Sequence, residues 1–408
     1  MFTAAHGGFA RENAPLGGGA AVFEHLMDEW TRTKPFEVEA LTPRILGASA
    51  PSGSDLTRFN EARYAAFSHA FEKACTEEIL KHDPATTVVL ANDISEGPDF
   101  RALAAHGFRI FTIFHVDVVD YVTALYFKGL LAPETTVRWY RYLRPLLPSM
   151  ASLVWAKQEA VVESSAGLIV PSPRMREVIL RCYPDCPPEK IHVLPWGNWH
   201  APEAADSEAV DGLRAEFGLP REAQVLLTLS RISPEKGQDL LLESLIEWER
   251  QGGVPTQPLH LFICGEAAFM QGQRHLAKLQ ELAAKLRQVR VVFPGHVSGA
   301  RKRAFFELAD LYAFPSRHES YGLTLMEAMA CGLPSVCLDT HGARSVMRPE
   351  MGAIVQKGQL ASTVMRLLAD GDARARMSVA ARKAAQEDRF SDRAAQLAEC
   401  MQSACTTR

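Results

Sequence analysis

The sequence predicts an α/β protein with two domains, each built around a parallel sheet. The chain has 408 residues, more than the roughly 100–200 residues of a typical domain. Short apolar or β-branched runs alternate with longer helical segments, and the alternation restarts after the polar stretch 200–223. Such alternation is typical of parallel sheets covered by helices. We therefore predict domains over 1–200 and 201–371, followed by a helical segment over 372–408.

Composition sets limits on the class of protein. Hydrophobic residues make up 47% of the chain, and the net charge of −4 gives no reason to expect a nucleic-acid partner. The eight cysteines lack metal-binding spacing. We expect free thiols, although Cys182 and Cys186 flank a proline-rich turn that would also suit zinc or a disulfide. The sequence shows no secretory signal and no apolar run of about 18 residues, so we expect a cytoplasmic protein without a transmembrane segment.

The first half predicts four strands, followed by two more before residue 200. The first four are expected at 1–5, 36–41, 86–91 and 108–114, with helices over 20–33, 56–82 and 98–106. Residues 159–172 predict a helix end, a glycine turn and a strand, and residues 190–197 predict one more strand. A glycine-rich loop precedes the first helix. Because a strand, a glycine loop and a helix in this order are typical of nucleotide-binding folds, Gly18 and Gly19 are predicted to approach a ligand closely. A flexible connection without a ligand is the alternative.

His115 stands directly after the predicted strand 108–114. Open α/β sheets bind their ligands at the carboxyl ends of strands, so this position favours a functional histidine. An isolated histidine is more often a structural residue, which is the alternative.

Three arginines recur every third residue in VRWYRYLRP, with aromatic residues between them: Arg138, Arg141 and Arg144. This spacing places them near one face of a helix. We favour a solvated face. An anionic acceptor or a lipid surface is the other interpretation.

The second half repeats the pattern. Strands are predicted at 225–230, 259–264 and 289–293, with helices over 238–250, 271–287, 301–309 and 372–401. The loop SRISPEKG places Arg231 and Lys236 after the first of these strands, where two cations suit a diphosphate. Gly265 and Val297 follow the next two strands, where a nucleotide base would lie against backbone groups. Ordinary turn chemistry also explains the glycine.

Residues 314–334, FPSRHESYGLTLMEAMACGLP, indicate a strand end, a loop and a helix. Glu319 falls in the loop, and Glu327 falls more than one turn inside the helix that Gly322 opens. A helix N-terminus suits a phosphate, and nearby carboxylates suit sugar hydroxyls. Compensation of the helix dipole is the simpler alternative for a carboxylate in this position.

With its Glu-x7-Glu spacing, this segment resembles retaining glycosyltransferases of the GT-B fold, specifically family four. The resemblance is strong over 225–355 and weaker over 1–197, where HVDVVDYVTALYFK carries it. Trp196-Gly197 stands where the family usually has Asn-Gly. The resemblance implies two Rossmann-like domains facing each other across a cleft, with a C-terminal helix crossing back to the N-terminal domain.

The family also implies roles for single residues. Arg231 and Lys236 would hold the leaving diphosphate, while His115 and Glu319 would face the transferred sugar. Glu327 would bind the ribose. The remaining predicted donor contacts are Gly18, Gly19, Gly265, Val297, Gly322, Leu323 and Thr324, with the N–H groups near Leu323 and Thr324 at the phosphates.

The function implied is retaining transfer of a hexose from a UDP-, ADP- or GDP-sugar to a hydroxyl acceptor. The acceptor would be a small molecule, a glycan or a lipid-linked compound. Peripheral contact with a membrane is compatible with this function. The nucleotide sugar is a co-substrate, and we expect no cofactor. We also expect no metal, because the one Asp-x-Asp triplet, at Asp370 and Asp372, is predicted to be a helix cap. The alternatives are an epimerase of the same fold and a non-catalytic nucleotide-sugar-binding protein.

Overall fold

A computed structural model describes residues 1–7, 17–56, 59, 61–94, 97–117, 119, 132–143, 149–199, 206–267 and 269–406. The chain divides into two compact units. The first unit comprises Met1–Trp196 and Phe390–Arg408, and the second unit comprises Gly197–Arg389.

The first unit contains a parallel sheet of six strands in the order β2-β1-β3-β4-β5-β6. The strands are β1 (Phe2–Thr3), β2 (Ala40–Leu41), β3 (Val88–Ala91), β4 (Arg109–Ile113), β5 (Gly167–Val170) and β6 (Ile191–Val193). Its helices up to residue 196 are α1 (Gly18–Thr33), α2 (Gly53–Leu56), α3 (Glu61–Ile79), α4 (Phe100–Ala105), α5 (Pro133–Leu143), α6 (Ser149–Ser164) and α7 (Pro173–Cys182).

Three predictions for the first unit need correction. The predicted helix 56–82 is shorter, because α2 ends at Leu56 and α3 runs from Glu61 to Ile79. Gly18 and Gly19 belong to helix α1 rather than to the loop before it. Gly17 takes a positive φ of 95° as the N-cap, so the chain turns into the helix immediately. The predicted strand 36–41 is reduced to Ala40–Leu41, of which only Leu41 is buried.

The second unit contains another six-stranded parallel sheet, in the order β12-β11-β10-β7-β8-β9. Its strands are β7 (Gln224–Leu229), β8 (Leu259–Cys264), β9 (Val289–Gly295), β10 (Leu311–Phe314), β11 (Ser335–Leu338) and β12 (Gly352–Val355). Its helices are α8 (Ser207–Glu216), α9 (Gln238–Arg250), α10 (Phe269–Ala283), α11 (Gly299–Leu308), α12 (Leu323–Ala330), α13 (His341–Val346), α14 (Leu360–Ala369) and α15 (Gly371–Glu387). The last helix of the chain, α16 (Phe390–Thr406), belongs to the first unit.

The C-terminal segment predicted over 372–408 is therefore divided between the two units. Helix α15 ends at Glu387 because Asp388 leaves the helical region, with φ −111° and ψ 82°. In the first unit, Trp30 on α1 donates its indole N–H to the carbonyl of Ala394 on α16, at 3.1 Å. A buried indole N–H needs such a partner, so this bond fixes α16 against α1.

The strand order of the second sheet is the one found in Rossmann folds, in which ligands bind where the order reverses. Here the reversal lies between β7 and β10, which pair in parallel through Leu226 and Leu311. Both strands are fully buried, as expected for a sheet covered on both faces. The loops after β7 and β10 are thus the place to look for a ligand site.

Two further findings concern the whole of the described chain. Within it, no helix has the length and apolar character needed to cross a membrane. The seven cysteines whose side chains the structure describes are free thiols, as the sequence predicted.

Candidate active site

The loop after β7 carries Arg231 and Lys236, and it packs directly on the loop after β10. Residues Pro234–Lys236 form a single 3-10 turn that ends at Gly237, whose φ is 66°. A Cβ atom on Gly237 would lie 2.0 Å from the carbonyl oxygen of Pro315. Glycine is therefore required here, because it allows the two loops to touch backbone to backbone.

Lys236 and Glu319 form an ion pair across these two loops. Nζ and Oε2 are 2.7 Å apart, and both side chains are largely buried. The backbone of Glu319 is held by Gly342, whose N–H donates to the carbonyl of Glu319 at 2.9 Å. A Cβ atom on Gly342 would lie 2.7 Å from Glu319 Cγ, so the start of α13 fixes this carboxylate.

Glu327 is paired with a lysine that the sequence analysis did not single out. Its Oε1 accepts from Nζ of Lys302 on α11 at 2.6 Å, and the carboxylate is only 5% exposed. Pairing offsets the cost of burying this charge. Lys302 was missed because, in GARKRAFFEL, it cannot be told from a solvated helix cation.

The loop that carries Glu319 leads directly into the N-terminus of α12. Gly322 is its N-cap with φ 86°, and the first intrahelical bonds are donated by Leu325 and Met326. The N–H groups of Leu323 and Thr324 thus have no partner within the helix. The Tyr312 hydroxyl donates to the carbonyl of Leu229 and lies 2.9 Å from Thr324 Oγ1. Since a hydroxyl has one proton, Thr324 donates to Tyr312, and its side chain anchors the helix.

Gly265 and Val297 follow β8 and β9 at the same sheet edge. Gly265 has a φ of 146°, and a Cβ atom there would lie 1.8 Å from the carbonyl oxygen of Ser230. The N–H of Gly265 donates to the carbonyl of Gly295 at 2.8 Å. Gly265 is therefore also required for the structure of the sheet edge. Val297 is buried at the start of the segment that leads to α11.

Arg231 is about one-third exposed, and its guanidinium lies 3.9 Å from the carboxylate of Glu235. Burial of Glu235 opposes its ionisation, but Arg231 and a hydrogen bond from Ser233 outweigh that effect and lower its pKa. The arginine is thus held beside an ionised carboxylate within its own loop.

In the first unit, His115 belongs to a chain of hydrogen bonds. Asn92, directly after β3, donates its amide N–H to the carbonyl of Gly19 at 3.0 Å and presents its oxygen to His115 Nε2 at 3.2 Å. We infer that Nε2 carries the proton and that Nδ1 is an acceptor. Burial lowers the pKa of His115 to about 4, although the bond to Asn92 opposes the shift. His115 is therefore neutral at pH 7.

Asn92 is a site residue that the sequence analysis missed, although its place after a predicted strand was an available signal. Gly19 packs closely on the histidine, because a Cβ atom at residue 19 would lie 3.0 Å from its ring. Trp196 is buried beside His115, with ring centroids 5.9 Å apart and the ring planes tilted by 31°. Trp196 therefore supports the histidine from within the first unit.

The predicted acceptor side is only partly described. Arg138 is exposed on α5, together with Trp139 and Tyr142. The side chain of Arg141 and the whole of Arg144 lie outside the described residues.

Two groups bear on metal binding. Asp370 accepts from the N–H of Ala373 at 2.9 Å and caps α15, as the sequence predicted. Among the described residues, one group of side chains has metal-ligand atoms within 4.8 Å of one another: Glu39, Glu78 and His82. It lies in the first unit, with Glu39 directly before β2.

The second unit thus brings Arg231, Lys236, Glu319, Gly322 and Glu327 to one sheet edge, while His115 and Gly19 form a separate group in the first unit. This is the two-unit α/β fold of GT-B glycosyltransferases. Residues 210–384 match the family described as glycosyl transferases group 1. This match covers less than half of the chain, and it agrees with the resemblance to family-four glycosyltransferases seen over 225–355.

Solved structures support the fold assignment. Anabaena Alr3699/HepE, in complex with UDP and glucose, is 18% identical with a TM-score of 0.68 over 98% of both chains. Sucrose-phosphate synthase from Thermosynechococcus elongatus is 18% identical with a TM-score of 0.74, over 100% of this chain and 99% of its own.

Curated relatives are closer in sequence but match over shorter regions. D-inositol 3-phosphate glycosyltransferase from Xylanimonas cellulosilytica is 29% identical over 58% of this chain and 57% of its own. Mannosylfructose-phosphate synthase from Agrobacterium fabrum is 30% identical over 46% of this chain and 40% of its own. The chain thus spans about half the length of these relatives.

Proposed function

We propose that the chain is a retaining glycosyltransferase that moves a hexose from a nucleoside-diphosphate sugar to a hydroxyl acceptor without a metal ion. The observation that carries the proposal is the pair of lysine–carboxylate contacts at the sheet edge, Lys236–Glu319 at 2.7 Å and Lys302–Glu327 at 2.6 Å. A nucleotide sugar offers both partners that these groups need, phosphates for the lysines and hydroxyls for the carboxylates.

The chemistry follows from the charges. Breaking the bond between the sugar and the diphosphate leaves negative charge on the phosphate oxygens. Arg231, Lys236 and the N-terminus of α12 lie where they would stabilise that charge as it grows. In this scheme Glu319 orients the sugar hydroxyls, and the leaving phosphate accepts the proton of the acceptor.

The donor is tested by thermal shift with UDP-glucose, ADP-glucose and GDP-glucose. A ligand at 100 times its dissociation constant stabilises the folded state by about 2.7 kcal/mol, so one donor should raise the melting temperature while free glucose should not. Turnover is then followed with D-inositol 3-phosphate as the first acceptor, because one relative is named for that compound. NMR of the product should show the anomeric configuration of the donor.

The two alternatives give different results in the same experiment. An epimerase would convert the sugar without an acceptor, and a non-catalytic binding protein would bind the donor and release it unchanged. An inverted product would contradict the retaining mechanism. The absence of binding by all three donors would contradict the donor class.

A further inference from the structure

Asp239 is an almost fully buried carboxylate, 4% exposed, on the first turn of α9. Oδ1 accepts from Arg317 at 2.6 Å, and Oδ2 accepts from Arg317 at 2.9 Å and from Lys278 at 2.6 Å. A bidentate pair with a planar guanidinium fixes direction as well as distance. Burial opposes ionisation of Asp239, but these bonds outweigh it and hold the pKa of the carboxyl well below its usual range.

Arg317 also binds the loop after β7. Its Nη1 donates to the carbonyl of Pro234 at 2.7 Å, and its backbone N–H donates to the carbonyl of Glu235 at 2.8 Å. Asp239 follows that same loop in sequence. The Asp239–Arg317 pair therefore fastens the loop after β10 to the loop after β7 and to the start of α9.

Lys236 and Glu319, which are predicted to contact the nucleotide-sugar donor, lie close in sequence to Asp239 and Arg317. Lys236 lies three positions before Asp239, and Glu319 lies two positions after Arg317. Both lie outside regular α-helix and strand, where a side chain is positioned by whatever holds its loop. The 2.7 Å contact between Lys236 and Glu319 thus depends on a connection that neither residue makes itself.

We propose that Asp239 and Arg317 are positioning residues, which hold Lys236 and Glu319 in the arrangement that receives a nucleoside-diphosphate sugar. The identity of the ligand rests on the proposed function, whereas the connection between the loops rests on the contacts above. Asp239 and Arg317 act through the loops and do not touch the ligand.

Hydrogen exchange tests the connection directly. The variant is Asp239→Asn, and the matched control is Glu249→Gln at the other end of α9. Glu249 also joins two segments, since it accepts from the N–H groups of Arg287 and Gln288, each at 2.9 Å. We expect Asp239→Asn to speed exchange at Lys236, Gly237 and Arg317 at least tenfold, and the control to leave it unchanged. Equal exchange in the two variants would overturn the proposal.

Kinetics test the positioning role with whichever of UDP-, ADP- or GDP-glucose is turned over. We expect Asp239→Asn to lower kcat at least tenfold. Adding Asp239→Asn to Lys236→Ala should lower kcat little further, because residues that act as one unit are not additive. Losses that multiply independently would contradict the positioning role.

A variant that fails to fold is replaced by Arg317→Lys. It keeps a charge beside Asp239 but lacks the planar fork, and it should produce the same pattern in exchange and kcat. If the wild-type protein turns over none of the three donors, the proposed function fails, while the exchange comparison still decides whether the loops are connected as described.

Discussion

Lys236 and Arg231 are single positions whose loss should slow transfer more than it weakens donor binding. The diphosphate gains charge as the bond breaks, so each missing cation matters most in the transition state. We expect Lys236→Ala and Arg231→Ala each to lower kcat by about a hundredfold, roughly 3 kcal/mol. Arg250→Ala, on the exposed end of α9, is the control. Near-normal rates in both variants would remove these two cations from the site.

Glu319 and Glu327 should differ in the ligand whose binding each of them affects. Glu327→Gln should weaken binding of the free nucleoside diphosphate as well as of the donor, because its predicted contact is to ribose. Glu319→Gln should affect the sugar donor and leave the free nucleoside diphosphate nearly unchanged. Calorimetry with both ligands measures the difference, and equal losses in the two variants would contradict the separate roles.

His115 should make stability depend on pH. Its pKa is lowered from 6.5 to about 4, so between these values the unfolded chain binds a proton that the folded chain does not. Stability should therefore fall as the pH drops from 6.5 to 4, by about 3 kcal/mol over the whole window. Urea unfolding at pH 7 and pH 4.5 should show a smaller loss for His115→Gln than for the wild type. The same loss in both proteins would show that His115 is not protected from protonation.

At the scale of elements, the loops after β7 and β10 can touch because Gly237 has no side chain. Gly237→Ala would place Cβ 2.0 Å from Pro315 O, so we expect a loss of more than about 2 kcal/mol in unfolding free energy. Gly212→Ala is the control. Residue 212 lies in α8, and a Cβ atom there would meet no atom within 4 Å beyond its chain neighbours and its own helix backbone. This variant should gain up to about 1 kcal/mol from helix propensity. Denaturant unfolding of both variants checks the contrast.

The elements of the second unit were largely predictable from sequence, because each central strand is a mostly apolar run. The predicted strand 259–264 and helix 238–250 have the bounds of β8 and α9. Other boundaries depend on information that is not local. Asp388 and Arg389 interrupt a continuous helical pattern, and nothing in the Ala/Arg-rich sequence marks that break.

The same reasoning applies to the site. Residues placed by strand ends, such as Arg231 and His115, follow from the order of elements. Asn92 also follows a predicted strand and could have been found in this way. Lys302 and Asp239 were missed because their importance comes from a partner distant in sequence. Lys302, for example, donates to Glu327, which lies 25 positions later in the sequence.

At the scale of the whole molecule, the charge of the site predicts turnover without a divalent ion. If a diphosphate takes the place of Glu235 and Glu319 as the partner of Arg231 and Lys236, these two cations and roughly half a charge from the dipole of α12 offset most of its charge. Activity with the best donor should survive excess EDTA, apart from a modest effect of ionic strength. Loss of turnover in EDTA, with recovery on adding Mn²⁺ or Mg²⁺, would contradict this explanation.

The division of the first unit into two stretches of chain has a consequence for biosynthesis. A ribosome delivers Trp30 long before Ala394, its hydrogen-bond partner 364 positions later. The second unit is continuous, so all of its residues are available to fold once Arg389 has emerged. The first unit is thus begun first and completed last, and its α1 surface must wait uncovered while the second unit folds. We expect this interval to be when the nascent chain is most prone to misassembly and most dependent on chaperones.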